Sequence, residues 1–235
     1  MADQADALRR LRRRALDRLN TLGQAIFHEM FVENARPDWP VVKIDEVVSN
    51  ARTGPFGSQL LSSELVDGGI PVLGIDNVVS NEFAWGKPRF ITPEKYQTLA
   101  RYTVAPGDVL ITIMGTCGRC IVVPQGMPTA INTKHICCLT PQSDRVDSEY
   151  LRAAFLMHPA VLKQLGVEAK GAVMPGLNMG IIKAIKLPLP GMQMQREFSA
   201  RMAAARDQSI VARRYVNELE GLFASLQHRA FRGEL

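Results

Sequence analysis

Two glycine-containing segments combine residue types that are suited to contacting nucleic acid. Residues 53–59, Thr-Gly-Pro-Phe-Gly-Ser-Gln, offer backbone amides, hydroxyl groups, a carboxamide suited to adenine and an aromatic ring. Residues 116–119, Thr-Cys-Gly-Arg, offer a hydroxyl, amides and an arginine suited to guanine. Glycine lets backbone amides approach a phosphate closely, although it is equally typical of a simple tight turn. The candidate contacts here are Arg52, Thr53, Phe56, Gly57, Ser58, Gln59, Thr116, Gly118 and Arg119.

Other basic and aromatic residues of the middle of the chain are suited to phosphate contacts. Each is also compatible with an ordinary solvated surface position. The candidates are Lys87, Arg89, Lys95, Tyr96, Lys134 and Lys170.

The charge is distributed unevenly within this middle part. Residues 83–190 hold twelve basic and six acidic groups, a net +6, whereas residues 38–82 hold two and seven, a net −5. Such segregation gives one basic face, which suits a polyanion, if the two halves fold onto separate surfaces. A well-mixed surface is the alternative.

The four cysteines form a CxxC pair, Cys117 and Cys120, and an adjacent pair, Cys137 and Cys138. Adjacent residues of a strand point to opposite faces of the sheet, so the four thiolates would not converge on one zinc ion. A zinc site remains an alternative if His135 replaces one of the cysteines as a ligand. A redox CxxC should open a helix, but this one runs into an apolar strand pattern. We therefore predict no metal and no cofactor, with the cysteines filling the core. So few cysteines also favour a reducing cytoplasm.

Familiar catalytic motifs are absent from the sequence. It has no HExxH, GxSxG, P-loop or GxGxxG pattern, and none of the motifs of adenine methyltransferases. We predict a protein without catalytic machinery of its own.

Composition and length bound the class of protein. The chain has 235 residues, 46% apolar and 22% charged, which is ordinary for a globular protein of one large or two small domains. No apolar run approaches the ~20 residues of a membrane span. The first twenty residues lack the apolar core of a secretory signal, so we expect none.

Two long helices are predicted at the ends of the chain. Residues 3–34 carry apolar side chains in steps of three and four, and Pro37 and Pro40 follow them. Residues 192–230 repeat apolar positions with a mean period of 3.5, which is typical of a coiled-coil seam. That helix would be about 58 Å long, more than one globular domain covers, so its far half needs another partner.

The middle of the chain predicts a mixed α+β domain. Turn residues separate short apolar runs, and Asp147 offers an N-cap to a helix. The predicted strands are 41–44, 70–75, 108–114, 120–123 and 135–139, and the predicted helices are 93–99 and 148–165.

The two end helices also resemble each other. With a shift of 200 residues, six of the nineteen positions from Arg13 to Phe31 are identical, including His28 with His228 and Phe31 with Phe231. This similarity indicates a true internal repeat.

The order of motifs resembles the specificity (S) subunit of type I restriction–modification systems over nearly the whole chain. No single motif is specific, but their order is. The matching segments are 39–47, 54–58, 69–73, 106–111, 114–119, 174–178, 185–190 and 222–235.

The resemblance implies three regions and a non-catalytic function. Residues 1–36 would be the end of a spacer helix, residues 37–190 a mixed-sheet target recognition domain, and residues 191–235 a long coiled-coil-forming spacer helix. The implied partners are double-stranded DNA, DNA adenine methyltransferase subunits and a restriction subunit. The methyltransferase subunits would carry out methylation, and the restriction subunit would carry out cleavage. The chain differs from the family plan in having one recognition domain instead of two, so the resemblance implies either a half-size subunit or a truncated second half.

We expect that difference to produce a homodimer. The first helix can pair only with the first part of the last helix. This would leave the apolar seam of the last helix uncovered over roughly residues 215–231. A two-fold dimer would cover both seams and read a symmetric bipartite site. The seam residues are Val216, Leu219, Phe223, Leu226 and Ala230.

Two alternatives remain at this point. One is a helical adaptor whose middle domain binds protein instead of DNA, which the nearly neutral middle region permits. The other is a small metal or thiol enzyme built on the cysteines.

Overall fold

The structure, a computed structural model, describes residues 21–167 and 176–232 together with Arg10, Leu11, Arg14, Ala15 and Leu19. The candidate contact Lys170 lies outside the described residues. The chain divides into two compact units. Residues 35–196 form the globular unit, and the described residues before 35 form the helical unit with those from 197 onward.

Ten short strands lie in the described part of the globular unit. Their bounds are β1 (Val41–Lys43), β2 (Val48–Thr53), β3 (Ile70–Leu73), β4 (Phe90–Ile91), β5 (Thr103–Val104), β6 (Val109–Thr112), β7 (Cys120–Val122), β8 (Ala130–Asn132), β9 (Ile136–Pro141) and β10 (Lys186–Pro188). The first sheet is antiparallel with the order β2-β9-β6-β7. The second has the order β4-β3-β8-β5 and is mixed, because β3 and β8 run parallel. Strands β1 and β10 form a separate antiparallel pair.

The helices complete a mixed α+β architecture, as predicted. They are α1, described over residues 21–28, α2 (Pro93–Leu99), α3 (Ser148–Met157), α4 (Pro159–Gln164), α5 (Met179–Ala184) and α6 (Met192–Phe231). The single helix predicted over 148–165 is two helices. Pro159 cannot donate a backbone hydrogen bond, and the His158 side chain caps α4 by accepting from the Ala160 amide. No helix of the described residues is long and apolar enough to cross a bilayer.

The core lies around the central strands of the first sheet. All four residues of β6 are buried, as are the first four of β9. One apolar cluster joins Leu110, Cys138 and Ile136 of this sheet to Leu73 and Ala130 of the second. The apolar runs of these strands fit burial on both faces.

A buried ion pair connects the two sheets through Arg52. Its Nη2 lies 2.8 Å from Asp108 Oδ2 and also donates to the Thr103 carbonyl of β5, while its Nη1 donates to Thr140 Oγ1 at 2.9 Å. The Asp108 carboxylate also accepts from Thr140 Oγ1 at 2.7 Å and from the Ala105 amide at 3.0 Å. The two charged side chains are only 13% and 2% exposed. The structure therefore gives Arg52 an internal partner instead of the DNA contact that the sequence suggested.

The cysteines pack inside the first sheet or beside it. Cys120, Cys137 and Cys138 are fully buried, and Cys117 is half-buried. Burial raises the pKa of all three buried thiols, that of Cys137 to about 12. Within the described residues, no three His, Cys, Asp or Glu side chains are grouped to hold a metal ion.

The helical unit is built on a cluster of three phenylalanines. The ring centroids of Phe27 and Phe31 lie 5.7 Å and 5.2 Å, respectively, from the ring centroid of Phe198. All three side chains are at most 1% exposed. A π-helical turn, Glu29–Glu33, carries Phe31 into this cluster. Such edge-to-face contacts add to the stabilisation from apolar burial.

Farther along α6 the seam differs from the prediction. Val216, expected on a bare seam, is only 7% exposed within the single chain. Leu219 and Phe223 are half-buried. The side chains of Leu226 and Ala230 lie outside the part that the structure describes.

Arg52→Ala should destabilise the globular unit by about 3 kcal/mol, because it leaves the Asp108 carboxylate buried without its charged partner. Lys183→Ala is the matched control, since its ion pair with Asp45 is much more exposed than the buried pair, at 37% and 51%, and should contribute less than about 1 kcal/mol. Denaturant unfolding of both variants measures the difference. Equal losses of stability would contradict a structural role for the buried pair.

A thiol reagent at neutral pH should modify Cys117 rapidly in the folded chain and all four cysteines after unfolding. The buried thiols are protonated and shielded, whereas the thiolate is the reactive form. Cys117→Ser is the control and should abolish the rapid reaction. Rapid labelling of Cys137 or Cys138 in that variant would show an open, reactive thiol site instead.

Candidate nucleic-acid interface

Strand direction brings three loops to one edge of the first sheet. Thr53, the last residue of β2, pairs with Cys137, and Thr112, the last of β6, pairs with Ile136 at the start of β9. Cys120 at the start of β7 pairs with Ile111. The loops that follow β2 and β6, and the one that precedes β9, therefore emerge side by side.

The second sheet adds a fourth loop to this edge. Because β3 and β8 are parallel, Leu73 and Asn132 end next to each other. Only residues 133–135 separate β8 from β9, so the ends of β3 and β8 meet the edge of the first sheet. We call the segments 54–59, 74–89, 113–119 and 133–135 together the loop edge.

Short backbone contacts hold these loops against one another. The Thr133 amide donates to the Leu73 carbonyl at 2.8 Å, and the Ile113 amide donates to the His135 carbonyl at 2.9 Å. At Gly54 a Cβ atom would lie 2.0 Å from the Asn132 carbonyl oxygen, so no larger residue fits there. The glycine of the first loop is therefore required by close packing between loops.

Large apolar side chains are exposed along the loop edge. Phe56 is 53% exposed, Trp85 61% and Met114 47%. Exposed apolar groups of this size, set among polar ones, are typical of binding surfaces. Sequence reasoning identified Phe56 and missed the other two, although Met114 directly precedes Gly115 of the second loop.

Basic side chains lie among these apolar groups. Lys87 and Arg119 are exposed, and Lys134 is half-buried. Arg101, which sequence reasoning also missed, is exposed just before β5, with its guanidinium 4.8 Å from the centre of the Tyr102 ring. Tyr102 donates a hydrogen bond to Gln59 Oε1 at 2.8 Å, which ties this segment to the first loop.

Two residues predicted to contact phosphate form ion pairs within the chain instead. Arg89 Nη2 lies 2.5 Å from Asp76 Oδ1, and Lys95 Nζ lies 2.6 Å from Glu64 Oε1. Partial burial opposes ionisation of Asp76, but hydrogen bonds from Arg89 and the Lys87 amide outweigh it and lower the Asp76 pKa. Arg89 and Lys95 therefore stabilise the fold locally.

The structure thus brings most of the predicted contacts together and separates a few. Tyr96 lies on α2, outside the loop edge, where its hydroxyl is 2.9 Å from Thr103 Oγ1. Gly118 is buried, and its amide donates to the Thr112 carbonyl at 2.8 Å, so that amide does not face a ligand. Thr53, the last residue of β2, directly precedes the loop edge. The predicted contacts placed within the loop edge are Phe56, Gly57, Ser58, Gln59, Lys87, Thr116, Arg119 and Lys134.

Comparison with known sequences gives a family and several relatives. The profile of the family described as "Type I restriction modification DNA specificity domain" matches residues 37–220. The MjaVIII type I restriction enzyme specificity subunit of Methanocaldococcus jannaschii is 22% identical over 224 residues, covering 92% of this chain and 52% of that protein. The EcoBI specificity subunit of Escherichia coli is 23% identical over 202 residues, covering 84% and 42%. The chain spans about half the length of these curated relatives.

Solved structures share the fold. The HsdS subunit from Thermoanaerobacter tengcongensis aligns with a TM-score of 0.65 at 20% identity, over 100% of this chain and 56% of that one. A chain from a type I R-M system, solved to describe complex assembly and conformational transition, aligns with a TM-score of 0.68 at 20% identity, over 99% and 56%. The family profile covers well over half of the sequence. The chain therefore belongs to the type I restriction–modification DNA specificity domain family, as the motif order predicted.

Proposed function

We propose that this chain recognises a specific double-stranded DNA sequence and confers that specificity on a type I restriction–modification complex. The observation that carries the proposal is the loop edge, where four loops from both sheets present exposed basic and apolar side chains on one rigid scaffold. DNA recognition needs cations for the phosphates together with polar and apolar groups for the base edges.

The loop edge offers both kinds of contact. Lys87 and Lys134 are suited to phosphates, while Arg119 is suited to the O6 and N7 acceptors of guanine. Ser58 and Thr116 are exposed hydroxyl groups that can bond base edges or phosphates.

Catalysis belongs, in this proposal, to separate partners. The matched relatives are named as specificity subunits of restriction enzymes. We infer that DNA adenine methyltransferase subunits and a restriction subunit dock on this chain and supply methylation and cleavage, and that the chain itself is not an enzyme.

We also infer a homodimer that joins two copies through their helical units. The described residues form one loop edge, and a two-fold axis would place a second, identical loop edge in the same complex. Apolar surface on α6 includes half-buried Leu219 and the more exposed Ile210 and Val211, 61% and 52% exposed. Two identical loop edges would read a symmetric bipartite site.

Selection from a randomised duplex pool tests this proposal, with and without a cognate methyltransferase subunit. We expect enrichment of a split motif with two symmetric halves, and a dimer in sedimentation at micromolar concentration. A single enriched half-site with a monomer would contradict the dimer and leave DNA recognition in place. No enrichment in either condition, with no salt-dependent duplex binding, would contradict DNA recognition and favour the helical adaptor.

A further inference from the structure

Trp85 combines high exposure with a fixed position. Its indole is 61% exposed, the most exposed aromatic side chain of the described globular unit. It packs edge-on against Phe83, with ring centroids 5.1 Å apart, and Phe83 in turn packs on the apolar core. Burial does not account for a tryptophan at this position.

Hydrogen bonds fix the backbone on both sides of the indole. The Asn77 side chain donates to the Ala84 carbonyl at 2.9 Å, and Asp76 Oδ2 accepts from the Lys87 amide at 2.6 Å. At Gly86 a Cβ atom would lie 2.0 Å from Asp76 Oδ2, so the turn is closed tightly against this carboxylate. A rigid segment that presents an aromatic ring loses little conformational entropy when it binds a ligand.

A cavity of about 220 Å³ opens beside the indole. Its wall consists largely of apolar side chains, among them Val72, Leu73, Pro88 and Phe90. Lys87 also lines it, and its exposed side chain places a positive charge beside the apolar wall. The surface therefore fits an apolar group carried by a polyanion.

Thymine provides such a group. In the major groove the base edges present hydrogen-bond donors and acceptors, and the C5-methyl of thymine is their apolar feature. We propose that Trp85 and the adjoining cavity form a specificity-determining contact with a thymine C5-methyl group of the target half-site. This inference rests on the proposed DNA-recognition function and adds one base preference to it.

Deoxyuridine isolates this contact, because it removes the methyl group and keeps the base-pairing groups of thymine. The probe is the duplex selected by the full chain, with each thymine replaced singly by deoxyuridine. We expect one position at which the replacement weakens binding about fourfold, the ratio that corresponds to burial of one methyl group. Trp85→Ala should weaken binding of the thymine duplex and bind the thymine and deoxyuridine duplexes equally at that position.

Val41→Ala is the matched control, since Val41 is 63% exposed on β1, outside the loop edge. It should keep the preference for thymine, and Trp85→Phe should keep part of it. Sequence-selective binding without any methyl-sensitive position, or with the same sensitivity in Trp85→Ala, would overturn the inference while leaving DNA recognition intact. Unchanged DNA discrimination with weaker binding of the methyltransferase subunit would assign Trp85 to a protein contact and also overturn it.

Discussion

The ion pair between Arg52 and Asp108 links strands of the two sheets from which the loop edge emerges. Arg52 is the penultimate residue of β2, just before the first glycine loop. Its guanidinium reaches Asp108, which precedes β6, and the Thr103 carbonyl of the other sheet. Burying two charges costs solvation, which close geometry and the added hydrogen bonds from Thr140 and Ala105 offset. The relative position of the strands that end at the loop edge depends on this network.

The two sheets position the loops of the loop edge. The buried strands β6 and β9 fix the positions at which the loops leave the first sheet. Contacts between the loops then fix the loop conformations. Close contacts such as that of Gly54 with the Asn132 carbonyl leave little freedom to the backbone of the edge. Side chains that point outward, such as Trp85 and Arg119, contribute little to the core, so packing does not dictate their identity.

The sequence predicted the α+β architecture, the long last helix and the two glycine loops, because apolar periodicity and turn residues report local structure directly. Most of residues 3–20, the start of the predicted first helix, lie outside the described residues. It did not predict β2, whose residues Val-Ser-Asn-Ala-Arg-Thr are mostly polar and become a strand only by pairing with β9. It also could not separate Arg52, Arg89 and Lys95 from free surface cations. Their acidic partners lie 56, 13 and 31 positions away in sequence, and only the fold brings them together.

Hydrogen–deuterium exchange of the full chain, with and without the selected duplex, tests most directly whether the loop edge reads DNA. We expect slower exchange on DNA binding in peptides that cover residues 54–59, 84–89, 113–119 and 133–135. The turns at the opposite ends of the same strands, residues 105–108 and 124–128, should exchange unchanged. Protection confined to those opposite turns or to α6 would contradict the assignment of the DNA interface to the loop edge.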